Sequence, residues 1–196
     1  MGDPFRILGI AGSLRKDSYN RAALREAARL APQGVSVEIF DLEGIPPFNQ
    51  DDEAHLPAKV VDLKARIRAA DAILFVTPEY NYSIPGVLKN AIDWASRPYG
   101  DNAWNEKPVA MMGASIGTMG TSRAQYHLRQ VCVYTNMHPL NQPEVMIADA
   151  TRRFDERGSL TDETSRELIR KLLDSLVAWS RRLEKRAEAG GRVSLA

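Results

Sequence analysis

Short apolar runs alternate with longer amphipathic ones along this chain. Residues 6–11 (Arg-Ile-Leu-Gly-Ile-Ala) form a brief β-like run that ends in Gly12-Ser13. Residues 20–30 follow with helical spacing, carrying Ala23, Leu24, Ala27, Ala28 and Leu30 on one face. Residues 35–40 alternate with period two, the pattern of a half-buried strand at a sheet edge. A loop rich in Pro, Asp and Asn spans 44–53. The spacing of Val60, Leu63, Ile67 and Ala70 then predicts a helix over 58–70. Residues 72–77 and 109–114 are apolar on both faces, as central parallel strands covered on each side must be. Helices are expected at 87–95 and 122–134, a last strand at 143–147, and a long closing helix over 159–189 with Leu168, Leu172, Leu176, Trp179 and Leu183 on its apolar stripe.

Five strands separated by helices imply a parallel sheet with right-handed crossovers and helices on both faces. Among doubly wound α/β folds, that number suits the flavodoxin-like order 2-1-3-4-5. The length, 196 residues, fits one domain covering the whole chain, 1–196, without repeats or linkers. Such sheets bind ligands at the carboxyl ends of their strands, beside strands 1 and 3. Chemistry is therefore expected after strands 1, 3 and 4.

Charge narrows the classes further. With 26 basic and 25 acidic residues there is no basic excess to suggest nucleic acid. No apolar run approaches the roughly 18 residues needed to span a bilayer, and the first residues lack a signal pattern, so a soluble, cytoplasmic protein is expected. Cys132, the single cysteine, lies in an apolar run and reads as a buried hydrophobe. His55, His127 and His138 have no partner at metal-ligand spacing, so no metal site is expected. Asp71 and Asp93 form no evident acid–base pair, and residues 181–186 read as a solvated helix face.

Three loops meet the positional criterion. The first, Gly12-Ser13-Leu14-Arg15-Lys16-Asp17-Ser18-Tyr19-Asn20, offers hydroxyls, a guanidinium, an amide and the N-terminus of a helix, donors that suit a phosphate dianion. It matches neither Gly-x-x-x-x-Gly-Lys nor Gly-x-Gly-x-x-Gly. By itself it reads equally as a strand-to-helix turn capped by Ser18 or Asn20. The second, residues 77–86, carries two prolines and two tyrosines; it suits the polar edge of a flat ring, a partner subunit, or simply a stiff turn. The third, residues 115–122, offers Ser115 with Gly117 and Gly120, either a close backbone approach to a ligand or a flexible turn.

Taken together, Gly12-Ser13-Leu14-Arg15, Ser18 and Asn20-Arg21, with the run Pro78-Glu79-Tyr80-Asn81-Tyr82-Ser83-Ile84-Pro85-Gly86-Val87-Leu88-Lys89-Asn90-Ala91-Ile92-Asp93-Trp94, resemble the NADPH-dependent FMN reductase family, nearest its chromate- and quinone-reducing members. The likeness extends through 125–130 and is weakest in the C-terminal helix. Asp17-Ser18-Tyr19 departs from the small-residue and Phe choices common in that family.

The resemblance implies that Ser13, Arg15, Ser18 and Asn20 hold the FMN phosphate. It implies that Pro78, Glu79, Tyr80 and Asn81 border the isoalloxazine ring, with Ser115 and Gly117 near its other side. It further implies a homodimer or homotetramer joined at Tyr82, Arg123, Tyr126 and Glu144; Trp94 is expected either at that interface or in the core. No residue qualifies as a nucleophile, which fits chemistry carried by the cofactor. The expected activity is hydride transfer from NADPH or NADH through FMN to a quinone, flavin, azo or chromate-type acceptor, by a ping-pong cycle. A flavodoxin-type electron carrier without NAD(P)H turnover, or a flavin-free binding module on the same fold, are the alternatives.

Overall fold

Ser18 starts the first helix by accepting from the amides of Asn20 at 3.2 Å and Arg21 at 3.4 Å, satisfying two donors that the first helical turn leaves free. That helix, α1 (Tyr19–Arg29), follows strand β1 (Phe5–Ala11). After them come β2 (Val35–Phe40), α2 (Ala58–Ala69), β3 (Ala72–Val76), α3 (Gly86–Ala95), β4 (Pro108–Ala114) and α4 (Ser122–Thr135). The chain continues through β5 (His138–Pro139), β6 (Val145–Ile147), α5 (Ala150–Arg153) and α6 (Glu163–Gly190). This computed structural model describes residues 4–190, with side-chain surroundings as far as 186.

The strands form one parallel sheet in the order β2-β1-β3-β4, with β5 and β6 sharing the place beyond β4. The expected flavodoxin-like order is observed, with one correction. The fifth place is divided: β5 pairs the start of β4 (Pro108 with His138), while β6 pairs its end (Met112 with Val145). Pro143, lacking an N–H, interrupts the intervening stretch, and prolines are tolerated in a ladder only at such an edge.

The other departures lie at the C-terminus. Helix α6 begins at Glu163 rather than 159, because the Asp162 carboxylate accepts from the Ser165 amide at 2.8 Å and from its hydroxyl at 2.6 Å, fixing the cap there. Residues ahead of it bridge Phe154 to Leu160 in antiparallel fashion, and α5 is a single turn that hydrophobic spacing does not mark.

Each face of the sheet has its own core. Ala23, Leu24 and Ala27 of α1 pack with Leu172 and Leu176 of α6 on one side. Leu63 and Ile67 of α2, Leu88 and Ile92 of α3, and Leu128 and Cys132 of α4 pack on the other. Burial pushes the Cys132 thiol up to about 12, so it packs as an inert hydrophobe. Trp94 is fully buried, its indole donating to the Pro46 carbonyl at 2.8 Å and its ring edge-on to Phe48. The interface expectation for Trp94 is therefore corrected, because a side chain with 0% exposure in the single chain has no surface to offer another. Trp104 is equally buried and donates to the Ile92 carbonyl at 3.0 Å. Trp179 is half-buried on α6 and reaches the His138 carbonyl. Residues 181–186, apart from half-buried Leu183, are exposed.

Candidate functional site

Parallel register brings three strand ends level. Ala11 lies beside Val76, and Val76 beside Met112, so the loops after β1, β3 and β4 leave from one rim. A last ladder bond steers each loop out: Gly12 donates to Val76, Thr77 to Met112, and Ser115 to Ile147, at 2.9, 3.0 and 3.0 Å. Between the loops lies a cleft of about 500 Å³ lined by Ser13, Arg15, Ser18, Tyr19, Asn20, Pro78, Glu79, Tyr80, Ala114, Ser115 and Ile116. That volume falls within the usual range for small-molecule sites, roughly 300–1,000 Å³.

One end of the cleft is built for an anion. The Ser13 and Ser18 hydroxyls are buried there, and Ser13 Oγ accepts from the Arg15 amide at 3.3 Å. Among the described residues, the amides of Ser13, Leu14, Lys16 and Asp17 find no partner, and the Arg15 guanidinium forms no ion pair. Unpaired loop amides, an α-helix N-terminus and a free guanidinium fit the terminal phosphate of FMN.

Asn20 has a different task from the one its place in the loop suggests. Its side-chain nitrogen donates to the Ala114 carbonyl at 2.9 Å, and its oxygen accepts from the Ala114 amide at 2.8 Å. With 3% exposure it clamps α1 to the end of β4 and so fixes the first loop against the third.

The second loop turns tightly. Tyr80 and Ser83 exchange backbone bonds of 3.0 and 2.9 Å around Asn81 and Tyr82, whose φ angles of 51° and 67° define a two-residue turn of the hairpin type. Tyr82 lacks the small side chain this region favours, and such strain persists only where surrounding contacts over-determine it. Those contacts are Arg123, stacked 3.8 Å from the Tyr82 ring, and His127 Nδ1, 2.7 Å from Ser83 Oγ. Arg123 also pairs with Glu79, whose other oxygen accepts from the Ala124 amide at 3.2 Å. Asn90 and Trp94, both in the long motif, serve another purpose by strapping residues 46–48 onto α3.

In the third loop, Ser115 Oγ accepts from the Gly117 amide at 3.1 Å at the open rim. Gly120 is the glycine that packing requires: its φ is +53°, and a Cβ would sit 2.8 Å from the Met146 backbone. Among the described residues no His, Cys, Asp and Glu cluster could hold a metal.

A model of the family described as NADPH-dependent FMN reductase matches residues 5–152, a span that includes all three loops and every strand. The chain belongs to that family. It is 55% identical to the NAD(P)H-dependent FMN reductase of Pseudomonas aeruginosa over 184 residues, covering 93% of this chain and 99% of that one. It is 43% identical to the 2-hydroxy-1,4-benzoquinone reductase of a Burkholderia species, covering 90% of this chain and 96% of the other. Among solved structures, the flavoenzyme NAD(P)H:(acceptor) oxidoreductase FerB of Paracoccus denitrificans matches with a TM-score of 0.83 and 37% identity, over 90% of this chain and 97% of that chain. Two azoreductases, one of Bacillus anthracis and one named AzrA, share the fold at 17% identity. For this FMN reductase family member, the hydroxyls, free amides and guanidinium at one end of the cleft are donors of the kind that the phosphate of the cofactor in the family name requires.

Four positions expected to join subunits are on the surface of α4 and its neighbours. Tyr82 is 70% and Tyr126 58% exposed, and the Glu144 carboxylate raises the Tyr126 phenol above its ordinary range. Arg123, by contrast, is already engaged within its own chain. No helix among the described residues is long and apolar enough to cross a membrane.

Proposed function

We propose that this chain is an FMN-dependent NAD(P)H oxidoreductase whose acceptor is a flat, uncharged quinone. The observation that carries this reading is the convergence of three loops on one cleft, anionic-ligand donors at one end and an apolar rim at the other. When bound, FMN supplies the hydride-accepting and hydride-releasing chemistry, which explains why the cleft needs no nucleophile or paired carboxylates. Ser13, Arg15, Ser18 and the free loop amides hold the phosphate. The backbone of Pro78, Tyr80 and Asn81 borders the ring on one side, with Ser115 and Gly117 near the other. Asn20 and Glu79 act on the cofactor through the parts of the cleft they position.

The choice of acceptor follows from charge. Tyr80 and Ile116, 52% and 69% exposed, line the cleft with apolar surface from the second and third loops. The charged residues lining the cleft are Arg15 and Glu79. With Arg15 on the phosphate, the lining has no cation left for chromate, a dianion, whereas a quinone, a free flavin or an azo dye needs none. The Burkholderia relative, by its name, reduces a quinone. A donor drawn from the NAD(P)H pool suits a cytoplasmic protein, and we read the whole chain, 1–196, as one domain.

An anaerobic titration tests the reading. The flavin absorbance should bleach with NADPH or NADH and recover when a benzoquinone is added after the donor is removed; steady-state double-reciprocal plots should be parallel, as ping-pong turnover requires. Flavin that keeps its colour with both donors would identify an electron carrier instead. Intersecting lines would replace the ping-pong cycle with a ternary complex.

Assembly into a homodimer or homotetramer rests on the outer face of α4, where Tyr126, Val133 and Tyr134 are 58%, 80% and 79% exposed. Sedimentation should show a mass of two or four chains, and Val133→Lys should shift it toward one. A wild-type mass of one chain removes this part of the proposal.

A further inference from the structure

Glu79 is a carboxylate in the wall of the cleft with only 8% of its side chain exposed. A buried charge needs compensation, and here two sources supply it. The Arg123 guanidinium pairs with one oxygen, and the N-terminus of α4, through the Ala124 amide at 3.2 Å, binds the other. Helix α4 needs this help. Its own N-cap, Thr121, sits in the left-handed region at φ 74° and makes no side-chain cap bond. Glu79 therefore caps α4 from another loop, and Arg123 neutralises what remains of its charge. The stack of Tyr82 on Arg123 and the Ser83–His127 bond fix the guanidinium and the loop in the same arrangement.

We infer that Arg123 is a positioning residue that, by cancelling the charge of Glu79, sets both the affinity and the redox potential of the flavin held beside it; this rests on the reading that the cleft takes FMN. Reduction adds negative charge at the ring end of the cleft. An uncompensated carboxylate in a largely water-free wall opposes that change, and the neighbouring cation removes the opposition. Arg suits the position better than Lys, because its planar fork can hold a carboxylate oxygen while its face lies on an aromatic ring.

The opposite signs of the two charges make the test sharp. Arg123→Gln, Glu79→Gln and the double variant are compared for FMN binding to the apo-protein and for the midpoint potential of the bound flavin. Arg123→Gln should shift the reduction equilibrium at least tenfold toward the oxidised form, about 30 mV for a two-electron couple, and weaken FMN binding. Glu79→Gln should move the potential the other way, and the double variant should return close to wild type. A role confined to holding the loop would move all three in one direction, and that result, or no shift in any, overturns the inference. Should Arg123→Gln fail to take up FMN, Arg123→Lys carries the measurement: its retained charge should keep the potential near wild type while FMN binds more weakly. A fall in potential with Arg123→Lys overturns the inference as well. Wild-type apo-protein that takes up no FMN in the same titration refutes the cleft reading itself, and this inference with it.

Discussion

Asn20→Ala should lower the stability of the FMN-free protein by about 2–4 kcal/mol, because it orphans a buried donor and a buried acceptor at once. Ala114 is 2% exposed, and its amide and carbonyl meet the Asn20 side chain at 2.8 and 2.9 Å. Alanine fills neither role. The helix start is not the cause, since Ser18 still caps the amides of residues 20 and 21, and alanine is the better helix former by a few tenths of a kcal/mol. Asn20→Asp should be similarly damaging: it keeps an acceptor for the Ala114 amide but turns a second acceptor toward the carbonyl. Urea unfolding of apo-protein measures this directly, as a lower midpoint with an unchanged slope. Unaltered apo-protein stability together with lost FMN affinity would return Asn20 to the role of a direct phosphate ligand.

That example shows where the sequence is readable and where it is not. The strands β1, β3 and β4 are visible because burial on both faces removes polar residues from a short run, a local property. The rim they form follows from topology, so the three loops could be singled out together. What a side chain does within a loop depends on partners far along the chain. Asn20 meets Ala114 at a separation of 94 residues, and Glu79 meets Arg123 at a separation of 44. Neither spacing leaves a periodic mark. An amide beside a helix N-terminus looks the same in sequence whether it binds phosphate or spans to a strand. Trp94 is hidden for a related reason: a tryptophan on an amphipathic helix suits an interface as well as a core, and its Pro46 partner lies in an irregular loop. The divided fifth strand escapes notice because β5 has only 2 residues, too few for alternation to register.

Arg15→Ala should weaken FMN binding about tenfold to a hundredfold while leaving the fold intact. A charge-assisted hydrogen bond to phosphate contributes about 1.5–3 kcal/mol, which sets that range. The fold should survive because the guanidinium is exposed and has no ion pair among the described residues. Its one aromatic neighbour, the Tyr19 ring, lies 5.7 Å away, a contact worth under about 1 kcal/mol at an exposed site. Arg15→Lys should fall between the two, keeping the charge but not the fork. Riboflavin, which has the ring without the phosphate, provides the internal control: its affinity should be the same for wild type and Arg15→Ala. Raising the salt concentration should narrow the gap for FMN and leave riboflavin unaffected, since only the former binds through an exposed charge. Equal losses for FMN and riboflavin would place Arg15 against the ring. Unchanged FMN affinity would assign the phosphate to the free amides of Ser13, Leu14, Lys16 and Asp17, with Arg15 only steering it toward them.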